Sequence, residues 1–303
     1  MTYDMRAGII LNPGCSNRCI FCGSNPKKSE IAIKKQEIGI YKDILTYRKK
    51  GYTKIEISGG DPIEYAKLPS LVRYLRKIGF NDITLATHGR QLSNRQLARE
   101  LIDSGVDTFR IPIYGSNTEI HESITGVNGS FNDVIEGIKN VKELNPSSGL
   151  MIHTLILQQN KEDILNIFKL ALRLKADKFC VSVLCVAAEA YYEFYVPYKD
   201  ISPYVSKLAD CTSDNCMGRV YFNDIPYCVF GFDNKQVVMT TPPDLVDYSQ
   251  PPKGYRSETK NLPVYRIKTR LEMCRDCKVS CKCDGFYLND IKRYGTGNLK
   301  PIR

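Results

Sequence analysis

At 303 residues, 43% hydrophobic and 25% charged, the chain has ordinary globular composition and enough length for one large domain or a domain with an appendage. Its net charge is +10, but lysine and arginine are spread along the chain rather than massed in one stripe, so nucleic acid is not an expected partner. No apolar run reaches the ~18 residues of a membrane span and no charged-then-apolar leader is present, so the twelve cysteines read as metal ligands in a reducing cytoplasm rather than as disulfides.

In chain order, Ala7–Leu11 reads as a strand, followed by a Pro/Gly/Cys loop and a helix over Ile31–Arg48. Lys54–Ile57 is a second strand, ending in Ser58-Gly59-Gly60-Asp61-Pro62, and Leu68–Ile78 is helical. Strands follow at Asp82–Ala86 and Thr108–Ile113, with a helix at Asn94–Asp103 between them and another at Phe131–Leu144. Leu150–Leu157, Glu162–Leu174 and Lys178–Leu184 continue as strand, helix and strand. Short β-branched runs alternating with amphipathic helices imply a parallel α/β sheet of βα units. Six units fall short of the eight of a closed barrel, so a partial, open (β/α)6 barrel is expected, with an open doubly wound sheet as the alternative. In either fold the loops at strand C-terminal ends build the active site, and the cysteine loop, the Gly-Gly-Asp loop and the loops holding Thr87-His88-Gly89 and Tyr114-Gly115-Ser116 all lie there.

After Ala187 the rhythm breaks. The tyrosine-rich segment Tyr191–Tyr198 is followed by an expected hairpin of Val220–Phe222 and Val229–Phe232. A Pro-rich loop over Thr240–Pro263 then leads to Cys274, Cys277, Cys281 and Cys283. The expected division is a barrel over 1–186 and a cysteine-rich extension over 187–303. Three histidines and no tryptophan make a histidine-rich metal site improbable.

Cys15-Ser-Asn-Arg-Cys19-Ile-Phe-Cys22 directly follows the first strand, and spacings of three and two bring three thiolates onto one small centre. Cysteine thiolates suit iron–sulfur clusters; a cubane has four irons, so three ligands leave one iron open to chelate another molecule. The competing reading is a zinc or redox site with a distant fourth ligand. Cys-x3-Cys-x-aromatic-Cys resembles the signature of the radical S-adenosylmethionine (SAM) superfamily. The resemblance implies a [4Fe–4S] cluster on Cys15, Cys19 and Cys22 that binds SAM and splits it reductively to a 5′-deoxyadenosyl radical, which takes hydrogen from substrate. It also implies Phe21 beside the adenine and an electron donor such as a flavodoxin or ferredoxin.

Ser58-Gly59-Gly60-Asp61-Pro62 resembles the superfamily's Gly-Gly-Glu-Pro loop, where glycines let backbone carbonyls approach the methionine ammonium, with Asp61 one methylene shorter than the usual Glu. Thr87-His88-Gly89 matches a common Thr-Asn-Gly, with position 88 a contact to the ribose or carboxylate of SAM or a plain turn histidine. Arg110 and Ser116 resemble an arginine-to-serine segment, where Arg could pair with a carboxylate or make a surface ion pair. His121 is read as capping or packing a helix. Gln159, with its neighbours, is a further candidate SAM contact.

The terminal cysteines resemble the twitch and SPASM extensions of related enzymes, which implies an auxiliary [4Fe–4S] cluster on Cys228, Cys274, Cys277 and Cys283. Cys281 is then supernumerary or replaces Cys283, and structural zinc is the alternative. Cys180 and Cys185 are candidate catalytic thiols that donate a hydrogen atom to a substrate radical, or small core hydrophobes; Cys211 and Cys216 have no assigned partners. The layout resembles peptide maturases, including those of His-Xaa-Ser systems, so a peptide substrate is expected and a small-molecule metabolite or cofactor precursor is the alternative. The absence of a leader-peptide-binding domain before the barrel argues mildly against a leader-guided enzyme.

Overall fold

A computed structural model describes residues 6–11, 14–22, 30–185, 189–211, 220–230, 238–239, 246–247 and 268–303. The strands are β1 (Arg6–Leu11), β2 (Lys54–Gly59), β3 (Asp82–Ala86), β4 (Thr108–Pro112), β5 (Gly149–Ile156), β6 (Lys178–Val183) and β7 (Val220–Asn223), then the two-residue β8 (Val238–Met239) and β9 (Val246–Asp247). Between them run α1 (Glu30–Lys49), α2 (Leu68–Lys77), α3 (Arg95–Ser104), α4 (Thr118–Thr125), α5 (Ser130–Leu144), α6 (Ile164–Arg173) and α7 (Tyr198–Cys211). A separate ribbon pairs β10 (Lys268–Thr269) with β11 (Phe286–Tyr287), and α8 (Leu288–Tyr294) follows.

Every pairing within the large sheet is parallel, and the strand order β8-β7-β6-β5-β4-β3-β2-β1-β9 follows the sequence without reversal through β1–β7. A doubly wound sheet reverses at its switch point to put helices on both faces. Unreversed right-handed crossovers leave all helices on one side, the arrangement of a barrel wall. β8 and β9 lie at opposite edges and do not pair with each other, so the barrel is open, as expected.

Period-2 alternation divides the two faces. The register row Ile9–Ile57–Leu85–Phe109 is fully buried or nearly so and belongs to the apolar core with the helices. The opposite, lumen face carries polar side chains at the intervening positions: Arg6, Glu56, Asp82, Arg110, His153 and Ser182. Arg6 forks onto both carboxylate oxygens of Asp82 at 2.9 and 2.8 Å, and Arg110 pairs with Glu56. Asn94 and Asn117 cap α3 and α4 by accepting from the backbone two and three residues on and three residues on, respectively.

The expected hairpin needs correction. Val220–Phe222 is not half of a hairpin: β7 pairs in parallel with β6, because α7 supplies the crossover a parallel neighbour requires, and Tyr227–Phe230 is a 3-10 turn. The change of rhythm after residue 186 therefore does not interrupt the sheet. The eight-residue α4 was also not anticipated as a helix of its own. The Pro-rich loop and Cys216 lie outside the described residues.

Phe109 lies wholly buried on the helix-facing side of β4. Phe109→Ala is expected to destabilise the chain by about 3–5 kcal/mol, seen as a lowered urea midpoint at unchanged slope. An unaltered midpoint would remove Phe109 from the core.

Candidate active site

The end of β2 packs against the start of the cysteine loop more closely than any side chain would allow. A Cβ on Gly59, whose φ is +139°, would stand 1.4 Å from the Leu11 carbonyl oxygen, and one on Gly60 would stand 2.0 Å from that of Gly14. The proximity is used by two hydrogen bonds, Gly60 N–H to Leu11 at 3.2 Å and Asp61 N–H to Gly14 at 2.7 Å. The far side of the loop is held by α4, with Arg18 N–H donating to Thr125 and Ile20 N–H to Ile124 at 2.9 and 3.0 Å. Cys15, Cys19 and Cys22 are thereby set in one short arch, with Cys22 N–H turned back onto the Cys19 carbonyl.

The loop borders a cavity of about 260 Å³ at the strand C-terminal ends. Its walls are Cys15, Asn17, Cys19, Phe21 and Cys22 from the loop, Gly60 from β2, and Ala86, Thr87, His88, Arg110, Pro112, Tyr114 and His153 from β3, β4 and β5. Phe21 meets Tyr114 edge-on at 5.2 Å between ring centroids. Burial pushes the Cys15 thiol up to about 11 and Cys19 up to about 12, the latter raised further by Cys22 and Cys15. Burial disfavours the thiolate in both, and a bound cation would favour it.

Donor spacing tests which centre fits. Zinc at about 2.3 Å from each sulfur brings tetrahedral thiolates to roughly 3.8 Å of one another. Among the described residues no three cysteine sulfurs lie within 4.8 Å of each other, so neither cysteine group holds three sulfurs at the close spacing of a tetrahedral zinc site. Among the described residues the donor trio that is this close is Asp61, Glu64 and His88. Glu64 accepts from Ser16 N–H. His88 accepts at Nδ1 from Arg90 N–H, so its proton sits on Nε2, 2.8 Å from Asp61 Oδ2 and 3.1 Å from Ser16 Oγ.

The sequence-derived candidates separate accordingly. Phe21, Gly60, Thr87, His88 and Arg110 line the cavity. Asp61 is fully buried, faces His88 and caps the turn after it, so its carboxylate braces loops instead of lining the cavity. Gly59 meets β1, and the Ser58 hydroxyl is 3.5 Å from the Ile9 carbonyl. Ser116 is committed to Asp163 through both its N–H and its hydroxyl, at 2.6 and 2.8 Å. Gln159 lies exposed on the turn after β5. His121 packs as anticipated: its Nδ1 accepts from Tyr114 N–H, and burial pushes its imidazole down to about 4. Cys180 and Cys185 do not line the cavity; Cys180 is buried on the lumen face of β6.

A second, small cavity of about 20 Å³ is walled by Cys228, Cys274, Cys277 and Cys283 together, while Cys281 is exposed outside it. Burial, followed by the charges of Cys283, Cys274 and Cys277, pushes Cys228 up to about 12. Sequence reasoning missed His153 and the structural use of Tyr114. The signal for His153 was a histidine that, with Thr154, interrupts an otherwise apolar strand.

The family model described as the radical SAM superfamily matches residues 9–171, and the chain belongs to that superfamily. The family implies a [4Fe–4S] cluster and SAM, and the chain is a radical SAM enzyme. A protein of Saccharolobus solfataricus named "Probable GTP 3',8-cyclase" is 27% identical over 172 residues, 55% of this chain and 52% of that protein. The chain thus spans about half the length of the curated relatives it matches. Streptococcus suis SuiB bound to S-adenosylmethionine is similar in fold at a TM-score of 0.56 and 18% identity, covering 72% of this chain and 50% of that one. Native anSMEcpe with bound AdoMet also gives 0.56, at 12% identity, covering 71% and 64%. Among the described residues no helix is long and apolar enough to cross a membrane.

Because the Gly60 Cβ position is filled by backbone, Gly60→Ala is expected to displace the cysteine loop. After reconstitution it should bind about four fewer irons than the parent chain while keeping the absorbance of any second cluster. Iron content equal to the parent would show that the contact is dispensable.

Proposed function

We propose that this radical SAM enzyme acts on a peptide or protein, at a side chain or the backbone, as a maturase-type oxidoreductase. The observation that carries the reading is the arch of Cys15, Cys19 and Cys22 pinned by Gly59 and Gly60 over a cavity at the strand ends. What the bound cluster and SAM supply there is reductive cleavage of SAM to a 5′-deoxyadenosyl radical that abstracts hydrogen from substrate. The chain's own residues hold and shield. Cys15, Cys19 and Cys22 are the ligands, Gly60 leaves backbone accessible at the cavity, and Phe21 against Tyr114 forms an apolar wall that excludes water.

A peptide is favoured by the charge balance of the cavity. Its arginine, Arg110, is paired with buried Glu56, and His153 is neutral because burial and Arg110 push it down to about 3. A wall of donors without net charge suits amide groups better than a triphosphate. A nucleotide is the second reading, supported by the sequence likeness to the Saccharolobus protein. Cys228, Cys274, Cys277 and Cys283 around one cavity support an auxiliary [4Fe–4S] cluster in a twitch- or SPASM-like extension. A flavodoxin or ferredoxin would supply electrons.

Anaerobic reconstitution with iron and sulfide is expected to load about eight irons per chain and to yield 5′-deoxyadenosine from SAM and dithionite. Cys15→Ala should abolish that product. Bound zinc without SAM cleavage would overturn the reading.

Cys274→Ala is expected to halve the iron and to leave SAM cleavage running without modification of the peptide. Full iron content in this variant would exclude Cys274 as a ligand.

A further inference from the structure

The cysteine loop is held on one more side by Arg90, the first residue of the 3-10 turn Arg90–Ser93 after β3. Its guanidinium spans two elements. Nε donates to Asp133 Oδ2 of α5 at 3.2 Å, and Nη1 donates to Asn17 Oδ1 at 3.0 Å, with the Ser16 carbonyl oxygen 3.4 Å away. The Arg90 backbone is anchored as well, its N–H donating to His88 Nδ1 at 3.2 Å.

These contacts decide which way the Asn17 amide faces. A guanidinium has donors and no acceptor, so the atom of Asn17 that meets Arg90 is the carbonyl oxygen. Nδ2, the other branch of the amide, is thereby turned away from Arg90. Asn17 is the asparagine in the cavity wall, beside Cys15 and Cys19. Its side chain hydrogen-bonds the Cys19 sulfur, and its backbone N–H the sulfur of Cys15. An amide nitrogen donates only and a thiolate accepts only, so the sense of the Cys19 contact is fixed too.

We infer that Asn17 is a positioning residue that acts through Cys19: its Nδ2–H, oriented by the Asp133–Arg90 pair, is directed at the Cys19 sulfur and raises the reduction potential of the cluster that binds SAM. This rests on the reading of Cys15, Cys19 and Cys22 as the ligands of that cluster. Reduction adds one electron, from dithionite or from a flavodoxin or ferredoxin, and no proton. The added negative charge spreads onto the ligand sulfurs, where an N–H dipole stabilises the reduced form more than the oxidised one. Asp133 offsets the charge of Arg90, so the guanidinium acts on the loop through the amide more than as a bare cation.

The test is an EPR-monitored potentiometric titration of the full chain reconstituted with iron and sulfide, following the signal that SAM alters. Asn17→Ala is expected to make this couple more negative. At a fixed poise the reduced-to-oxidised ratio should fall by about three- to tenfold, the larger value being about 59 mV for one electron. Arg90→Lys keeps the charge and loses the planar fork, so it should give part of that fall alone and none in the Asn17→Ala background. In the parent chain, asparagine carrying 15N only at the side-chain amide should show hyperfine coupling to the reduced cluster, a measurement that needs no variant to fold. An unchanged or raised potential in Asn17→Ala would overturn the inference. So would an equal Arg90→Lys shift with and without Asn17, or no 15N coupling in the parent. A parent chain that loads no cluster, or one whose signal ignores SAM, removes the reading of the cysteine loop itself; a SAM-responsive cluster with any of the three contrary results removes this inference alone.

Discussion

The seam between the ends of β1 and β2 is the contact on which the rest of the site depends. Gly59 and Gly60 approach the Leu11 and Gly14 carbonyls at distances that only hydrogen can fill. Each of the two backbone hydrogen bonds made there is worth only about 1 kcal/mol net. Their larger effect is geometric, because the obstacle to any side chain is main chain and cannot rotate away. Asp61 follows immediately and reaches His88, and His88 reaches Ser16 inside the cysteine loop. Three successive strand-end loops are thus tied into a closed circuit, and α4 secures the remaining end of the cysteine loop. A metal site whose ligands all sit in one loop needs that kind of external bracing, since the loop has little internal structure of its own.

The lumen solves a different problem. Apolar residues on the helix side of the sheet bury themselves, but the same strands turn polar residues inward, where each must find a partner. Arg6 with Asp82 and Arg110 with Glu56 do so across alternate strands. Such pairs add little stability over an apolar replacement, although removing one partner is expensive. What they provide is a wall whose dipoles and donors are fixed before anything binds, the condition for orienting a reacting group. The thiols are handled in the opposite way. Burial holds Cys15, Cys19 and Cys228 protonated, so a metal centre placed on them would supply the compensating charge, each thiol releasing a proton on loading.

Much of this was legible in the sequence. Asp82–Ala86 could be bounded to the residue because β-branched and apolar positions alternate between turn signals, and the cysteine spacing pointed to its chemistry without any structure. What the sequence hid depends on contacts between distant strands. Ser116 is drawn to Asp163, 47 positions away, and Asp61 to His88, partners that no local pattern reveals. β7 is only four residues long, and the proline inside α7 obscures the crossover that makes it parallel. His153 and Thr154 interrupt an apolar run together, and which of the two faces the lumen follows only from the strand order and register.

The tyrosine-rich segment shows how far composition alone can mislead. Crowded rings near the end of a barrel suggest a peptide-binding surface, yet Tyr195 and Tyr198 are 2% and 0% exposed. The Tyr195 hydroxyl donates to Asp290 at 2.7 Å, Tyr198 N–H reaches the same carboxylate at 3.3 Å, and the Tyr195 ring stacks on Tyr294. Asp290 and Tyr294 belong to α8, which follows the terminal cysteines through β11. Tyr195 also shares an apolar cluster with Tyr114, Ile124 and Leu157, onto which Cys19, Ile20 and Phe21 pack. One set of aromatic contacts therefore holds both the first cysteine loop and the helix leaving the second cysteine group. The placement of the two cysteine groups is therefore coupled through this packing. Close-packed rings transmit position because they cannot be compressed or shifted singly, and the buried Asp290 carboxylate adds directed hydrogen bonds to that packing.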